Sequence, residues 1–155
     1  MPATYREMRL DDLPATLAVR LSTIENAITL EELESEYGIT PESMAVAMGS
    51  DLRGWLCEES GKVVGFAMGD RSNGEVQVVA VHPEHEGKGI GMSLLSRVQS
   101  WLFSQGHDAV WLLSNPNPKV RAHGFYRKLG WRPSGQRKGE DEVLVLRKGD
   151  LHSAP

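Results

Sequence analysis

Three glycines alternate with other residues between an extended segment and a helical one, at Gly87, Gly89 and Gly91. Residues 76–81 form a β-branched run that predicts a strand, and Pro83 ends it because proline cannot donate to a ladder. The apolar residues after Gly91 recur with a helical period. A strand, a glycine-rich turn and a helix N-terminus together turn backbone amides toward an anion. This stretch therefore predicts a phosphate-binding site.

Two common nucleotide-binding motifs do not fit this glycine pattern. A P-loop places lysine directly after its final glycine, followed by serine or threonine. Here Lys88 precedes Gly89, and no hydroxyl residue follows a Gly-Lys pair. A dinucleotide fingerprint reads Gly-x-Gly-x-x-Gly near the start of a βαβ unit, whereas this stretch reads Gly-x-Gly-x-Gly. A flexible surface loop is the alternative without a function.

Residues 79–95 resemble the acyl-CoA-binding motif of the GNAT acetyltransferase superfamily. The family pattern Gln/Arg-x-x-Gly-x-Gly/Ala falls on Glu86, Gly89 and Gly91, and the family holds the pyrophosphate of acetyl-CoA there through backbone amides. Glu86 replaces the usual glutamine or arginine, so we expect its carboxylate to point away and Lys88 to offset its charge. The resemblance implies a set of cofactor-binding residues: Val79, Ala80, Val81, Glu86, Gly87, Lys88, Gly89, Ile90, Gly91, Met92, Asn115 and Tyr126.

A second segment, residues 121–131, resembles the family pattern Ala-x-x-x-Tyr-x-x-x-Gly-Phe, with tryptophan in place of phenylalanine. The family tyrosine falls on Tyr126, and the resemblance implies that its phenol gives a proton to the departing CoA thiolate. Packing on an amphipathic helix is the structural alternative for this side chain. The family often has an asparagine where this chain has Lys119, so Asn115 or Asn117 is expected to make that contact to CoA.

Acyl transfer to an amine also requires a base, since an ammonium group has no lone pair. Glu75 opens the strand before the turn, and the histone-type branch of the family has a catalytic glutamate at the matching position. Simple alternation would place Glu75, Gln77 and Val79 on one face of this strand. A solvated charge beside a turn is the alternative for Glu75. His82 and His123 are further candidates for the base.

The oxyanion that forms during attack needs a hydrogen-bond donor. The resemblance implies a backbone amide within residues 79–81, freed by a β-bulge there. The family transfers the acyl group directly within a ternary complex, so we expect Cys57 to be a small buried hydrophobe and not an acyl carrier. His82 and His85 lack further ligands at metal-binding spacing, and we expect no metal.

Composition favours an ordinary folded domain. The chain has 155 residues, 40% of them hydrophobic and 25% charged, and a net charge of −4. This acidity argues against general nucleic-acid binding. No stretch approaches 18 consecutive apolar residues and no signal-peptide core is visible, so we expect no membrane association and a cytoplasmic location. A single cysteine excludes an intramolecular disulfide.

The order of elements predicts an α+β fold. Helices are expected over residues 11–21, 29–38, 41–49, 91–105 and 117–130. Strands are expected over residues 4–9, 54–59, 62–68, 75–81, 109–114, 131–136 and 142–147. Because a helix connects residues 75–81 to residues 109–114, those two strands can pair in parallel. The order resembles the GNAT fold, a three-layer α/β/α sandwich with a mixed, mostly antiparallel sheet. It implies one N-acetyltransferase domain over residues 1–155, with a core of about 4–148 and a loose tail at 149–155.

Together these features predict an acetyl-CoA-dependent N-acetyltransferase acting on a primary amine of a small molecule, peptide or protein. The alternative is a non-catalytic acyl-CoA-binding regulatory module. In this fold the acceptor side is usually lined by segments corresponding to residues 22–38 and 133–141. An acidic run there would attract a cationic amine, although a solvated helix face is the commoner explanation. Its members are Glu25, Glu31, Glu32, Glu34 and Glu36. A homodimer is frequent among proteins of this kind.

Overall fold

A seven-stranded sheet runs through the computed structural model, which describes residues 3–23 and 28–149. Its strands are β1 (Thr4–Glu7), β2 (Leu52–Glu59), β3 (Lys62–Asp70), β4 (Glu75–Val81), β5 (Ala109–Ser114), β6 (Arg132–Lys138) and β7 (Asp141–Arg147). The order across the sheet is β1-β2-β3-β4-β5-β7-β6. Neighbouring strands pair antiparallel, except that β4 and β5 are parallel.

The described residues form five α-helices. They are α1 (Leu13–Ser22), α2 (Leu30–Tyr37), α3 (Pro41–Met48), α4 (Ile90–Ser104) and α5 (Arg121–Lys128). Helices α4 and α5 pack on one face of the sheet, and α1 and α3 pack on the other. The predicted three-layer sandwich around a mixed, mostly antiparallel sheet is therefore confirmed. The predicted tail lies mostly outside the described residues.

Helix α4 buries an apolar stripe against the sheet. Leu94, Leu95, Val98 and Leu102 are fully buried, and their spacing places them on one side of a helix with 3.6 residues per turn. Trp131 is also fully buried and donates its indole N–H to Gln99 Oε1 at 3.2 Å. This packing fixes the position of the helix whose N-terminus meets the glycine-rich turn.

Strand β4 contains a bulge at Gln77. Val76 pairs with Gly69 and Val78 pairs with Met68, so Gln77 has no opposite residue on β3. The extra residue interrupts the ladder and alters the direction of the side chains that follow. The bulge was expected within residues 79–81, and the structure places it two residues earlier.

The bulge changes which side chains of β4 share a face. Val76 packs with Val79 in the core beneath α4, whereas Val78 packs in the core beneath α1. Since adjacent residues of a strand point to opposite faces, Glu75 lies on the face opposite Val79. The prediction from simple alternation was wrong because the sequence pattern does not reveal one inserted residue.

Helix α5 begins later than predicted. Asn115 Oδ1 accepts the backbone N–H of Asn117 at 2.9 Å, and Asn117 Oδ1 accepts that of Lys119 at 3.0 Å. These two side-chain turns satisfy backbone donors locally, which competes with a helix. The helix therefore starts at Arg121, with Val120 as its N-cap residue.

The start of α1 is tied to the sheet by a charged network. Arg6 donates to both carboxylate oxygens of Asp12 at 2.8 Å and to Glu58 at 2.9 Å. Asp12 also accepts the backbone N–H of Arg9 at 2.7 Å. The Arg6 guanidinium is the main cause that holds the pKa of Asp12 below its usual value. Asp12 is the residue that precedes α1, so the helix begins two residues later than the predicted start at residue 11.

We predict that Arg6→Met lowers the free energy of unfolding by about 2 kcal/mol at pH 7, because it leaves the buried Asp12 carboxylate without its partner. The folded-state pKa of Asp12 is lowered, so its stabilising contribution is complete above the unfolded pKa and is lost as pH falls through the folded value. The difference between variant and wild type should shrink at about pH 3. Urea unfolding at both pH values measures it.

Arg71→Met is the matched control, because its pair with Asp51 at 3.1 Å has side chains about half exposed. Its loss should stay within about 0.5 kcal/mol. Equal losses for the two variants, or an Arg6 effect that is unchanged at low pH, would contradict the assignment.

Candidate active site

The glycine-rich turn leads directly into the N-terminus of α4. Gly87 and Gly89 have positive φ angles of 80° and 81°, in the region that glycine occupies without strain. Gly89 is the N-cap residue of α4, and no side chain in the described part of the chain caps this end. The first-turn amides of α4 therefore remain available to an anion, which the helix dipole also favours.

This turn forms one end of a cleft of about 650 Å³. The other walls come from the ends of β4 and β5 and from α5. The predicted cofactor-binding residues that line the cleft are Val79, Ala80, Val81, Glu86, Gly87, Gly89, Ile90, Gly91, Met92, Asn115 and Tyr126. The structure thus brings together every residue of that prediction except Lys88.

Lys88 points to the neighbouring β2–β3 hairpin and does not line the cleft. Its Nζ lies 3.2 Å from Glu59 Oε2 and 3.1 Å from His85 Nδ1. His85 Nδ1 is also 2.6 Å from Glu59 Oε2. These contacts connect the turn to the end of β2, so Lys88 stabilises the position of the turn.

Glu86 is paired with Arg121, the first residue of α5. Arg121 Nη1 lies 3.0 Å from Glu86 Oε2, and both residues line the cleft. Arg121 therefore offsets the charge of Glu86. The sequence-based expectation that Lys88 would do so was wrong. Arg121 was not predicted, although an acidic residue beside a phosphate site is a signal that a cation lies nearby.

Tyr126 lines the cleft from α5. Its ring packs edge-to-face with Phe125 at 5.0 Å and with Trp131 at 6.0 Å between centroids. Burial raises the pKa of its hydroxyl to about 12, so the phenol keeps its proton at neutral pH. The packing holds a protonated hydroxyl group in a fixed place beside the cleft.

A second, smaller cavity of about 130 Å³ adjoins the cleft. It lies between β4 and β5 and reaches α1 on the other face of the sheet, and its polar lining residues are Arg20, Thr23, Gln77 and Tyr126. The two cavities share five lining residues: Thr23, Val79, Ala80, Leu113 and Tyr126. Two ligands approaching from opposite faces would therefore meet at Tyr126 and the end of β4.

Strands β4 and β5 allow this meeting because they pair at a single position, Glu75 with Trp111. Beyond that pair the ladder stops, and Leu113 and Ser114 of β5 line the cleft opposite β4. Neither residue was predicted. The signal was the predicted parallel pairing of β4 and β5, since ligands bind beyond the carboxyl ends of such strands.

Glu75 lines neither cavity. It is partly buried, and this burial raises the pKa of its carboxyl group above the usual value. Hydrogen bonding to Gln77 opposes that shift, and Gln77 lines the smaller cavity. The predicted base is thus one side chain away from the smaller cavity.

Two other residues considered from the sequence, His82 and Cys57, stabilise the fold. His82 Nδ1 accepts the backbone N–H of Glu84 at 3.2 Å and caps the short 3₁₀ turn Pro83–His85. Cys57 is fully buried in the core. Within residues 3–23 and 28–149 no three histidine, cysteine or acidic side chains gather as metal ligands. Within the same ranges no helix has the length and apolar character needed to cross a membrane.

Comparison with known proteins gives a family match. Residues 20–131 match the model of the Acetyltransferase (GNAT) family. An uncharacterized N-acetyltransferase of Methanocaldococcus jannaschii is 28% identical over 147 residues, which cover 85% of this chain and 92% of that protein.

Solved structures share the fold. PaiA N-acetyltransferase from Thermoplasma acidophilum, in complex with coenzyme A, gives a TM-score of 0.79 at 19% identity and covers 95% of this chain and 99% of its own. The yncA structure from Salmonella typhimurium, with its cofactor acetyl-CoA, gives 0.73 at 19% identity and covers 100% and 98%. At these identities the likeness concerns the fold.

We predict that Gly89→Ala weakens coenzyme A binding about 10-fold. A side chain at positive φ costs about 1–2 kcal/mol, and the turn would relax away from the conformation that presents its amides. Isothermal titration calorimetry with coenzyme A measures the change.

Gly106→Ala is the control, because Gly106 has φ +99° with no atom within 4 Å of an added Cβ, and it lies outside the cleft. It should lose similar stability and keep its coenzyme A affinity. Unchanged affinity in Gly89→Ala would show that the phosphates do not bind at this turn.

Proposed function

Because this chain belongs to the GNAT acetyltransferase family, we propose that it transfers an acetyl group directly from acetyl-CoA to a primary amine. The observation that carries the proposal is the meeting of two cavities at Tyr126, one beside the glycine-rich turn and one that reaches α1 on the opposite face. The larger cavity takes the acetyl-CoA and the smaller one takes the amine. The family match favours an enzyme over a non-catalytic acyl-CoA-binding module.

The donor is held at its phosphate end by the turn. The amides of residues 87–91 bind the diphosphate at the N-terminus of α4, where uncapped donors and the helix dipole both favour an anion. Arg121 adds a guanidinium group on the same side. The pantetheine arm then runs along residues 79–81, whose β5-side backbone groups lie beyond the end of the ladder.

Three groups carry the chemistry. Glu75 removes a proton from the acceptor ammonium through water beside Gln77, which frees the lone pair for attack on the thioester carbonyl. A backbone amide of residues 79–81 donates a hydrogen bond to the oxyanion. Tyr126 donates its proton to the sulfur as the carbon–sulfur bond breaks, and the second proton that the amine nitrogen loses restores the phenol.

Burial raises the pKa of the proton donor and of the proton acceptor in this last transfer together. Burial raises the pKa of Tyr126 to about 12, which makes it a weaker acid. The same apolar surroundings also disfavour a thiolate and make the leaving sulfur more basic. The phenol therefore stays protonated until negative charge develops on sulfur.

The sequence-based expectations of a cytoplasmic location and a homodimer remain predictions.

The proposal is tested by measuring free CoA release from acetyl-CoA across a panel of primary amines. In this assay Tyr126→Phe should lower kcat about 100-fold, because it removes the general acid, and should leave coenzyme A affinity unchanged. Tyr5→Phe removes a hydroxyl outside both cavities and should keep the wild-type rate. Thiol release at background for every amine would instead favour the binding module.

Glu75→Gln should lower kcat/KM about 100-fold and remove the Glu75-dependent rise of activity with pH. Burial raises the pKa of Glu75, so the wild-type rise should lie above the ordinary glutamate pKa of about 4.3. Activity should fall as pH drops through the raised pKa of Glu75, because only the carboxylate form accepts a proton. Glu84→Gln, at an exposed residue outside both cavities, should keep the wild-type profile. A wild-type rate and profile in Glu75→Gln would assign the base elsewhere.

A further inference from the structure

Helix α5 carries Tyr126 but buries none of its own residues fully. It extends only from Arg121 to Lys128, about two turns. A helix of this length has little stability of its own in water. The position of the Tyr126 hydroxyl group therefore depends on the contacts that α5 makes with the rest of the fold.

Arg127, the residue after Tyr126, connects α5 to strand β7. Its Nη2 donates to both carboxylate oxygens of Glu142, to Oε1 at 3.0 Å and to Oε2 at 2.9 Å. Its Nη1 donates to the backbone carbonyl of His123 at 3.1 Å, one turn earlier in the same helix. The guanidinium group thus contacts the carboxylate of β7 and the backbone of α5 at the same time.

Burial distinguishes this ion pair from the pair between Arg121 and Glu86. The side chains of Arg127 and Glu142 are 27% and 12% exposed. Those of Arg121 and Glu86 are 59% and 36% exposed. Water and salt weaken an exposed pair, whereas removal of one partner from a less exposed pair leaves a charge without compensation. We therefore expect the loss of the Glu142 carboxylate to loosen α5 beside Tyr126.

The acidic run considered from the sequence has a different position. Glu31, Glu34 and Glu36 are exposed on α2 and line neither cavity. Glu32 caps its own helix, where its carboxylate accepts the backbone N–H of Thr29 at 3.3 Å. Glu25 lies outside the described residues. The described members of this run therefore face solvent or stabilise α2.

We propose that Glu142 is a positioning residue for acetyl transfer, which holds Arg127 and thereby keeps the adjacent phenol of Tyr126 beside the end of β4. This inference rests on the proposed function, in which Tyr126 protonates the departing sulfur. A general acid must lie within hydrogen-bond reach of the reacting atom. A displacement of about 1 Å can lower a rate about 100-fold. Glu142 lines neither cavity, so it acts through α5 and not on the substrates.

The test is a double-mutant cycle with Tyr126. Glu142→Gln keeps the size of the side chain and removes its charge, and we expect it to lower kcat about 10-fold. In a Tyr126→Phe background the same substitution should cause no further loss, because no hydroxyl group is left to position. Free CoA release gives kcat. Saturating acetyl-CoA and amine exclude any effect of weaker binding from that value.

Glu58→Gln is the matched control. Glu58 pairs with Arg6 at 2.9 Å, the side chains of Arg6 and Glu58 are 32% and 25% exposed, and Glu58 lines neither cavity. This variant should keep the wild-type kcat. A wild-type kcat in Glu142→Gln would overturn the inference. So would an equal loss in the Tyr126→Phe background, since Glu142 would then affect the rate without the phenol.

Amide hydrogen exchange separates failure of this inference from failure of the proposed function. Glu142→Gln should speed exchange of the α5 amides about 10-fold and leave exchange in α4 unchanged. Unchanged exchange in α5 would overturn the inference even if wild-type CoA release is rapid. Absence of CoA release from the wild type with every amine would instead overturn the acetyltransferase, and faster α5 exchange would still support the contact through which Glu142 holds the helix.

Discussion

The early end of the β4–β5 ladder is the constraint on which the rest of the site depends. Parallel neighbours in the middle of a sheet normally pair along their length, yet these two share one register position, Glu75 with Trp111. Beyond it, both strands line cavities on the two faces of the sheet. The bulge at Gln77 lies at the start of this opening. It moves each following side chain of β4 to the opposite face of the sheet from the one that simple alternation predicts. The two cavities thus lie where pairing between β4 and β5 is interrupted inside the sheet.

Such an interruption needs rigid surroundings, because backbone groups without partners are costly when buried. Helix α4 supplies this on one face through fully buried leucines packed on the neighbouring strands. On the other face, Arg6 and Asp12 fix the start of α1, and the last turn of that helix carries Arg20 to the smaller cavity. The charged network and the helix end are about 15 Å apart along one rigid element, at 1.5 Å per residue. Helix α1 therefore carries the charged network at its start and part of the lining of the smaller cavity near its end.

Local patterns predicted the strands, the helices and the glycine-rich turn, because strand, turn and helix are encoded within about twenty consecutive residues. Contacts between distant segments were not readable in the same way. Arg121 meets Glu86 across 35 positions of sequence. Arg20 lines a cavity beside β4 from a helix that two further helices and two strands separate from β4 in the sequence. The bulge at Gln77 was misplaced because one inserted residue leaves the hydrophobic pattern of a short strand nearly unchanged. The same insertion determines the face on which Glu75 lies.

Helix α5 lines the larger cleft at two separate points. Its first residue, Arg121, pairs with Glu86 beside the glycine-rich turn, and Tyr126 follows five positions later, about 7.5 Å along the helix axis. An added Cβ at Gly91 would lie 3.4 Å from Phe125 Cζ, so the first turn of α4 and the middle of α5 are already in close contact. A larger side chain at Gly91 would push α5, and Tyr126 with it, away from β4. The absence of a side chain at Gly91 therefore lets the first turn of α4 lie directly against Phe125 of α5, a role separate from the backbone freedom that the positive φ angles of Gly87 and Gly89 require.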